Sequence, residues 1–117
     1  MATLSTFDDT NFSCEVLKSD IPVVVLFTSA WCGPGRQMLP VMVELCEAFA
    51  DQVKVGTLDT DNAPDTVATY KITTLPTLCV FEKAVIKRGT WAGTRSGFLS
   101  REQVVDMITP LLRDDSQ

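Results

Sequence analysis

Residues 21–27 constrain the fold of this chain more than any other segment. This run, Ile-Pro-Val-Val-Val-Leu-Phe, is rich in β-branched residues, is almost wholly apolar and does not alternate with polar residues. A strand with that pattern is buried on both faces, as happens in a sheet that has helices on either side. The sequence therefore predicts an α/β fold in which residues 21–27 form the central strand.

Other segments have the patterns of helices and strands. Helices are predicted over about residues 10–19, 34–50 and 62–70 and from Ser100 onwards, and strands over about 53–58, 77–81 and 85–91. Asn62 is interpreted as a helix cap, and Ser100 with Gln103 as a capping box. Pro40 lies inside the second helix and predicts a kink there. We expect the order βαβαβαββα, a mixed sheet flanked by helices, in a single domain over residues 1–117.

The charge and the apolar runs argue against several kinds of partner. The 117 residues include 15 acidic and 10 basic side chains, a formal net charge of −5 that repels nucleic acid and anionic lipid. The longest apolar run, residues 23–27, is far too short to span a membrane, and the acidic first residues lack the basic region of a signal peptide. We therefore expect a cytoplasmic protein that binds neither nucleic acid nor membrane.

Four cysteines and the absence of histidine limit the available chemistry. Without histidine there is no catalytic triad, and no two cysteines lie within four residues of each other, as zinc sites usually require. We expect no metal and no cofactor. In a reducing compartment the thiols, at positions 14, 32, 46 and 79, stay reduced. The remaining possibilities are thiolate chemistry, carboxylate chemistry or no catalysis.

Cys32 is the cysteine with the strongest indication of reactivity. It follows the central strand and directly precedes the helix predicted over residues 34–50. The open N–H groups and the dipole of a helix N-terminus stabilise a negatively charged sulfur, so we expect a nucleophilic thiol. Arg36, one turn further on, either adds positive potential or points into solvent.

The residues around Cys32 form a recognisable motif. Trp31-Cys32-Gly33-Pro34-Gly35 resembles the thioredoxin active-site sequence Trp-Cys-Gly-Pro-Cys with its last cysteine replaced. Pro40 in the helix, the stretch Asp59-Thr60-Asp61 and the stretch Leu75-Pro76-Thr77 also match the family pattern. The resemblance covers nearly the whole chain and implies the thioredoxin fold.

The resemblance also implies a substrate-binding surface. In thioredoxins the proline that matches Pro76 is cis and lies beside the reactive cysteine, where the backbone of the preceding residue pairs with an extended substrate. Gly93 resembles the glycine on the same rim. With Cys32 as the catalytic residue, the implied substrate contacts are Trp31, Gly33, Pro34, Leu75, Pro76 and Gly93.

Several positions depart from the family pattern. Gly35 replaces the resolving cysteine, and Leu26 replaces the buried aspartate that accepts the proton of that cysteine. These two changes fit each other, because a buried carboxylate without a proton-transfer role only adds a desolvation cost. Thr28 and Thr57 replace a tryptophan and a lysine. Since an engineered trap normally changes the cysteine alone, the pattern favours a naturally divergent protein over an engineered resolving-cysteine variant.

The loss of the second thiol leaves two hypotheses of different classes. In the first, Cys32 is the sole nucleophile of an atypical thioredoxin-like thiol–disulfide oxidoreductase. It forms mixed disulfides with protein disulfides or glutathione adducts, and an external thiol such as glutathione resolves them. In the second, the protein is a noncatalytic module whose Trp31 and Pro76 surface binds an extended peptide or a partner protein. In either case we expect a monomer.

The other cysteines are expected to have no catalytic role. Cys46 lies about four helical turns, roughly 21 Å, beyond Cys32, which is too far for a disulfide. Cys79 is expected inside the sheet and Cys14 on the first helix, as packing residues or inert thiols.

The stretch 89–100 is longer than the corresponding loop in most thioredoxins and holds three of the six glycines. It is expected to border the substrate-binding rim. We interpret it as a loop, either a plain surface insertion or a segment that selects partners through Arg95 or Phe98.

Overall fold

The protein is built on a mixed sheet. The structure, a computed structural model, describes residues 4–82 and 90–109. These residues form the strands β1 Ser5–Phe7, β2 Val23–Thr28, β3 Lys54–Asp59, β4 Thr77–Glu82 and β5 Thr90–Ser96. The strands lie in the order β1-β3-β2-β4-β5; β3 is parallel to β1 and β2, and β4 is antiparallel to β2 and β5. The central position predicted for residues 21–27 is confirmed, because β2 lies in the middle of the sheet.

Helical segments connect the strands. The α-helices of the described residues are α1 Gly33–Ala48, α2 Pro64–Thr69 and α3 Arg101–Ile108. A π-helical segment, Ser13–Leu17, follows β1, and a 3₁₀ turn, Thr60–Asn62, precedes α2. The predicted order βαβαβαββα is confirmed. Within residues 4–82 and 90–109, no helix has both the length and the apolar character needed to cross a membrane.

All six residues of β2 are buried because an apolar core lies on each face of the sheet. Val24 and Leu26 belong to the core that also contains Met38 and Met42 of α1. The alternate residues Val23, Val25 and Phe27 belong to the second core, on the opposite face. A strand covered on both sides has to be apolar at consecutive positions, which is why its sequence pattern identified it.

Helix α1 positions the residues that follow β2. It begins one residue earlier and ends two residues earlier than the predicted helix over 34–50. Cys32 is its N-cap. Pro34 lies in the first turn, where its missing N–H costs no helical hydrogen bond. Pro40 lies inside the helix, as predicted; the kink at Pro40 stays a prediction.

The capping box predicted for the last helix is confirmed. The N–H of Gln103 donates to Ser100 Oγ at 3.2 Å, and the N–H of Ser100 donates to Gln103 Oε1 at 2.9 Å. Val104 and Ile108 are buried and turn the apolar face of α3 toward the core that contains Leu26. The start of α3 is therefore fixed by local hydrogen bonds.

The cap predicted for α2 is wrong. Asn62 makes no capping bond to this helix; instead, Asp9 Oδ2 accepts the N–H of Asp65 at 3.1 Å and Asp9 Oδ1 accepts the N–H of Thr66 at 2.9 Å. Desolvation raises the pKa of Asp9, but the hydrogen bonds from Thr66 and Asp65 outweigh it, so this pKa lies below its usual 3.8. The cap comes from a residue more than fifty positions away, which local sequence patterns do not reveal.

The first elements of the chain also differ from the prediction. The helix expected over residues 10–19 is the shorter π-helical segment Ser13–Leu17. The preceding turn is held by Asp8 Oδ1, which accepts the N–H of Asn11 at 3.0 Å. Strand β1, to which no residues were assigned from the sequence, has three residues. A strand of three residues is too short to show the alternation of apolar and polar side chains by which a strand is identified in a sequence.

Strand β5 lies further along the chain than predicted. Of the strand expected over 85–91, residues 85–89 fall outside the described residues, and β5 extends from Thr90 to Ser96. It is antiparallel to β4, as predicted. The interpretation of 89–100 as a loop is therefore wrong for residues 90–96. A register shift between Val80 and Phe81 accompanies this pairing, and such irregularities depend on tertiary contacts.

Candidate active site

Cys32 lies where β2 gives way to α1. Its backbone is extended, with φ −87° and ψ 100°; its N–H donates to the carbonyl of Ser29 at 3.1 Å, and its own carbonyl accepts the N–H of Arg36 at 3.1 Å. Its side chain makes no capping hydrogen bond, and the residue is 5% exposed. The N–H groups at the start of α1 are therefore left without a side-chain cap beside a cysteine.

Trp31 is exposed next to this nearly buried cysteine. It is 70% exposed, and its indole Nε1–H donates to Asp61 Oδ2 at 3.2 Å. Asp61 lies in the 3₁₀ turn that follows β3. The stretch Asp59-Thr60-Asp61 thus anchors one edge of the indole ring and leaves most of the ring accessible.

The residues before β4 lie at the same end of the sheet as Cys32. Thr77, the first residue of β4, pairs with Phe27, the residue before the last one of β2. The Leu75–Pro76 peptide bond is cis, and Pro76 is buried. The sheet register therefore brings Leu75 and Pro76 to the edge from which Cys32 emerges.

The glycine that approaches Pro76 is not the predicted one. Gly93 lies inside β5 opposite Val80, away from this edge. The N–H of Gly97 donates to the carbonyl of Pro76 at 2.7 Å, and Gly97 has a φ of 87°, a conformation that favours glycine. The assignment of Gly93 to the rim is corrected to Gly97. Phe98 follows it and is 52% exposed.

Position 35 has no room for a side chain. A Cβ atom built on Gly35 would overlap Thr28 Oγ1 and would lie 3.0 Å from Thr28 Cβ and 3.2 Å from Cys32 Sγ. A cysteine at this position would therefore require Thr28 to move. In the sequence, Thr28 stands out only as a departure from a family pattern; its contact with Gly35 depends on the packing of β2 against α1.

Leu26 lies deeper beneath the same helix. It is fully buried, pairs with Thr57 in β3 and Leu78 in β4, and shares its core with Met38 of α1. A carboxylate in these surroundings would lose its hydration. Leucine suits this apolar position.

A pocket of about 420 Å³ opens beside Thr28. Its lining combines hydroxyl groups with one basic and one acidic residue: Thr6, Thr28, Ser29, Ala30, Arg36, Leu39, Thr57 and Asp59. Thr28 and Thr57 are smaller than the tryptophan and lysine of the family pattern, which leaves this space open. Arg36 is exposed at the pocket, one turn into α1.

The other cysteines lie away from Cys32. Cys46 is buried near the end of α1, where burial, followed by the negative charge of Glu47, raises the pKa of its thiol. Cys79 is fully buried in β4, in the core on the sheet face opposite α1. Cys14 is exposed in the π-helical segment. The predicted interior position of Cys79 is confirmed.

Comparisons with known proteins agree with this arrangement. The sequence matches the thioredoxin family model over residues 3–109. It is 37% identical to the thioredoxin of Alicyclobacillus acidocaldarius over 108 residues, which cover 92% of this chain and 97% of that protein. It is 42% identical to thioredoxin 1 of Synechococcus elongatus over 82 residues, 70% of this chain and 77% of that protein. It is 34% identical to the thioredoxin of Rickettsia typhi over 100 residues, 86% of this chain and 90% of that protein.

Proposed function

This chain belongs to the thioredoxin family, and from that membership we propose that it is a thiol–disulfide oxidoreductase of the monothiol type. Family membership supports thiol–disulfide exchange in general, on a mixed sheet flanked by helices that is the thioredoxin fold. In the proposed mechanism, Cys32 is the sole nucleophile and an external thiol such as glutathione completes each cycle.

The observation that supports the monothiol mechanism is the crowding at position 35. Thr28 Oγ1 occupies the space that the Cβ of a second cysteine would need. The remaining cysteines are poor substitutes. Cys46 lies fourteen residues along the same helix, and Cys79 lies in the core on the other face of the sheet. Cys14 lies in the π-helical segment whose Val16 packs into that second core. Without a second thiol within reach, a mixed disulfide at Cys32 has to be resolved from outside.

The proposed cycle has two exchange steps. The Cys32 thiolate attacks the glutathione sulfur of a protein–glutathione adduct, a new S–S bond forms, and the protein sulfur leaves as a thiolate. A glutathione thiolate then attacks the glutathione sulfur bound to Cys32, and the electron pair of the broken bond returns to Cys32 Sγ. The substrate cysteine is reduced, two glutathione molecules become one disulfide, and Cys32 is unchanged.

The rate of the second step separates this mechanism from the dithiol one. A well-placed thiol in the same molecule acts at an effective concentration on the order of 10⁵ M or more, which no diffusing thiol approaches. The mixed disulfide should therefore accumulate when oxidised glutathione is abundant.

The proposed substrate surface surrounds Cys32. Gly33 and Pro34 are exposed at the start of α1, and Trp31 is exposed beside them. Leu75 and Pro76 complete the surface across the sheet edge, with Gly97 in the place expected for Gly93. We propose that the protein works in this way as a single-domain monomer in the cytoplasm, where a thiol donor is available.

The test measures which cysteine captures glutathione, using variants in which individual cysteines are replaced by serine. Purified protein is incubated with oxidised glutathione, and adducts are counted by intact mass spectrometry. We expect an adduct in Cys14→Ser, which lacks the exposed cysteine, and none when Cys32→Ser is added to it. An adduct that persists when both Cys14 and Cys32 are replaced, or robust turnover with thioredoxin reductase, whose usual substrate is an internal disulfide, would contradict the proposal.

A second candidate function is a noncatalytic binding module. Trp31 is 70% exposed and Phe98 is 52% exposed on the same rim, whereas Cys32 is 5% exposed. Exposed aromatic side chains beside a backbone edge commonly anchor partner proteins or extended peptides. Partners captured from a lysate that survive both reductant and Cys32→Ser, but are lost in Trp31→Ala, would support this function. Partners released by reductant would support mixed-disulfide chemistry.

A further inference from the structure

Two buried hydroxyl groups next to Cys32 lack good hydrogen-bond partners. Thr28 is 9% exposed, and its Oγ1 donates to the carbonyl of Ser29 at 3.5 Å, the outer limit for such a bond. The Oγ atom of Ser29 is buried and has no hydrogen-bond partner among the described residues. Both residues line the pocket beside Thr28, so these hydroxyls keep hydrogen-bonding capacity that a further acceptor can use.

Thr28 Oγ1 and Cys32 Sγ both lie close to the Cβ position of residue 35. The point where a Cβ of residue 35 would lie overlaps Thr28 Oγ1 and is 3.2 Å from Cys32 Sγ. A hydroxyl hydrogen rotates freely about its C–O bond and donates to whatever acceptor lies nearby. When Cys32 is a thiolate, its sulfur is a charged acceptor, and hydrogen bonds to charged acceptors are about twice as strong as neutral ones.

We propose that Thr28 is a positioning residue whose hydroxyl donates a hydrogen bond to the Cys32 thiolate, from the place where a second thiol would otherwise lie. This inference rests on the proposed function. In the release step, the external thiolate attacks the glutathione sulfur, the S–S bond to Cys32 breaks, and the electron pair goes to Cys32 Sγ. The Thr28 O–H stabilises the charge that arrives there, and no proton is transferred. A leaving sulfur whose anion is stabilised departs faster.

The proposal explains why glycine and threonine occur together at positions 35 and 28. A side chain at position 35 would collide with the Thr28 hydroxyl and would keep it from the proposed hydrogen bond. A hydroxyl cannot form a disulfide, so Thr28 supports Cys32 as a leaving group without providing a resolving thiol.

The test compares two substitutions at Thr28, one that removes the hydroxyl hydrogen-bond donor and one that keeps it. Thr28→Val keeps the shape and removes the hydroxyl, whereas Thr28→Ser keeps the hydroxyl. The measurement is the rate at which reduced glutathione releases glutathione from the preformed Cys32 adduct, at fixed pH. We expect about a tenfold slower release for Thr28→Val and a rate within about twofold of wild type for Thr28→Ser. Equal rates for wild type and Thr28→Val, or a Thr28→Ser protein as slow as Thr28→Val, would overturn the proposal.

A second pair of variants tests the geometry. Gly35→Ala places a Cβ against the Thr28 hydroxyl, so it should also slow release. In a Thr28→Ala background, which has no hydroxyl to displace, the same substitution should change the release rate by less than about twofold. Equal slowing in both backgrounds would show that crowding, rather than loss of the hydroxyl, is responsible.

The alkylation of Cys32 by iodoacetamide provides a measurement that does not depend on glutathione. Thr28→Val should lower this rate, and Thr28→Ser should restore it, because the reaction uses the thiolate. If the wild-type protein forms no glutathione adduct but the alkylation rates follow this order, the proposed function fails and the role of Thr28 stands. If adducts form and Thr28→Val changes neither rate, the role of Thr28 fails and the proposed function stands.

Discussion

Helices α1 and α3 have similar N-cap residues, but only the N-terminus of α3 is closed by side-chain hydrogen bonds. Each helix has a small residue with extended backbone at the N-cap, Cys32 in α1 and Ser100 in α3. In α3, Ser100 and Gln103 exchange two hydrogen bonds that satisfy the end of the helix. In α1, Cys32 makes no capping bond, and no acidic residue lies in the first turn.

This difference separates a helix end that local hydrogen bonds stabilise from one that is open to the proposed Cys32 thiolate. A capped end is worth about 1 kcal/mol of stability and leaves fewer N–H groups for other acceptors. The open end of α1 keeps its N–H groups and dipole available for a negative sulfur. Helix α2 supports the same view, because its N-terminus is capped from a distance by Asp9 and carries no cysteine.

The largest expected effect, the complete loss of the glutathione adduct at Cys32, comes from closing the open end of α1. Cys32→Asp supplies a side chain that accepts N–H groups of α1, so we expect the free energy of unfolding to rise by about 1 kcal/mol while glutathione adduct formation is lost completely. Urea denaturation and intact mass spectrometry measure the two effects. Cys14→Asp, at an exposed position, is the matched control and should change neither. A destabilised Cys32→Asp protein would show that the end of α1 is already satisfied.

The next effect concerns the space beneath this open end. Gly35→Cys forces a Cβ into Thr28 and should lower the free energy of unfolding by about 1–3 kcal/mol, as overpacking usually does. Adding Thr28→Ala removes the colliding hydroxyl and should recover most of that loss. When Leu26→Asp is added to Gly35→Cys and Thr28→Ala, the triple variant should reduce insulin faster than Gly35→Cys alone. A Gly35→Cys protein as stable as wild type would show that position 35 has room.

A smaller effect is expected at the capped end. Ser100→Ala removes one of the two capping bonds of α3 and should cost about 1 kcal/mol of stability. It should leave the rate of adduct formation at Cys32 unchanged, because the ion pair that joins α3 to α1, Arg101 with Glu44, lies twelve residues along the chain from Cys32. Ser100→Asp, which can still accept the bond, is the control for stability. Slower adduct formation in Ser100→Ala would show that the two helix ends are coupled.

The smallest effect is the pH dependence of the distant cap on α2. The pKa of Asp9 lies below 3.8 in the folded protein, so its stabilising contribution is present above the unfolded-state pKa and is lost as the pH falls through the folded-state pKa. The melting temperature should therefore fall less in Asp9→Asn than in wild type between about pH 5 and pH 2. Asp51→Asn controls for the change in charge. Equal pH dependence in Asp9→Asn and wild type would contradict the assigned cap.

Local patterns were sufficient for much of the fold. Residues 21–27 identified β2 because burial on both faces requires consecutive apolar residues, and the pair Ser100 and Gln103 identified the start of α3 because a capping box is made within four residues. The position of Cys32 at the start of α1 followed from the same kind of local reasoning. Each of these features depends on residues close together in the chain.

The features that the sequence did not reveal depend on contacts between distant residues. Asp9 caps α2 although it lies more than fifty positions away in the chain. Local patterns in the sequence assigned this cap to Asn62 instead. The register of β5 against β4 places Gly93 inside the strand, so the glycine beside Pro76 is Gly97 and not the predicted Gly93. The overlap between Thr28 and the Cβ position of residue 35 exists only after β2 packs against α1. These three contacts decide the details of the site.

The most direct test of the central claim is how oxidation of the protein depends on total glutathione. Mixed-disulfide formation at Cys32 exchanges one oxidised for one reduced glutathione, so the oxidised fraction depends on their ratio alone. An internal disulfide releases two reduced molecules, so its fraction depends on the square of the reduced concentration. At a fixed ratio, diluting total glutathione tenfold should leave the oxidised fraction of wild-type protein unchanged. A fraction that rises on dilution, with the oxidised protein carrying no glutathione, would contradict the monothiol mechanism.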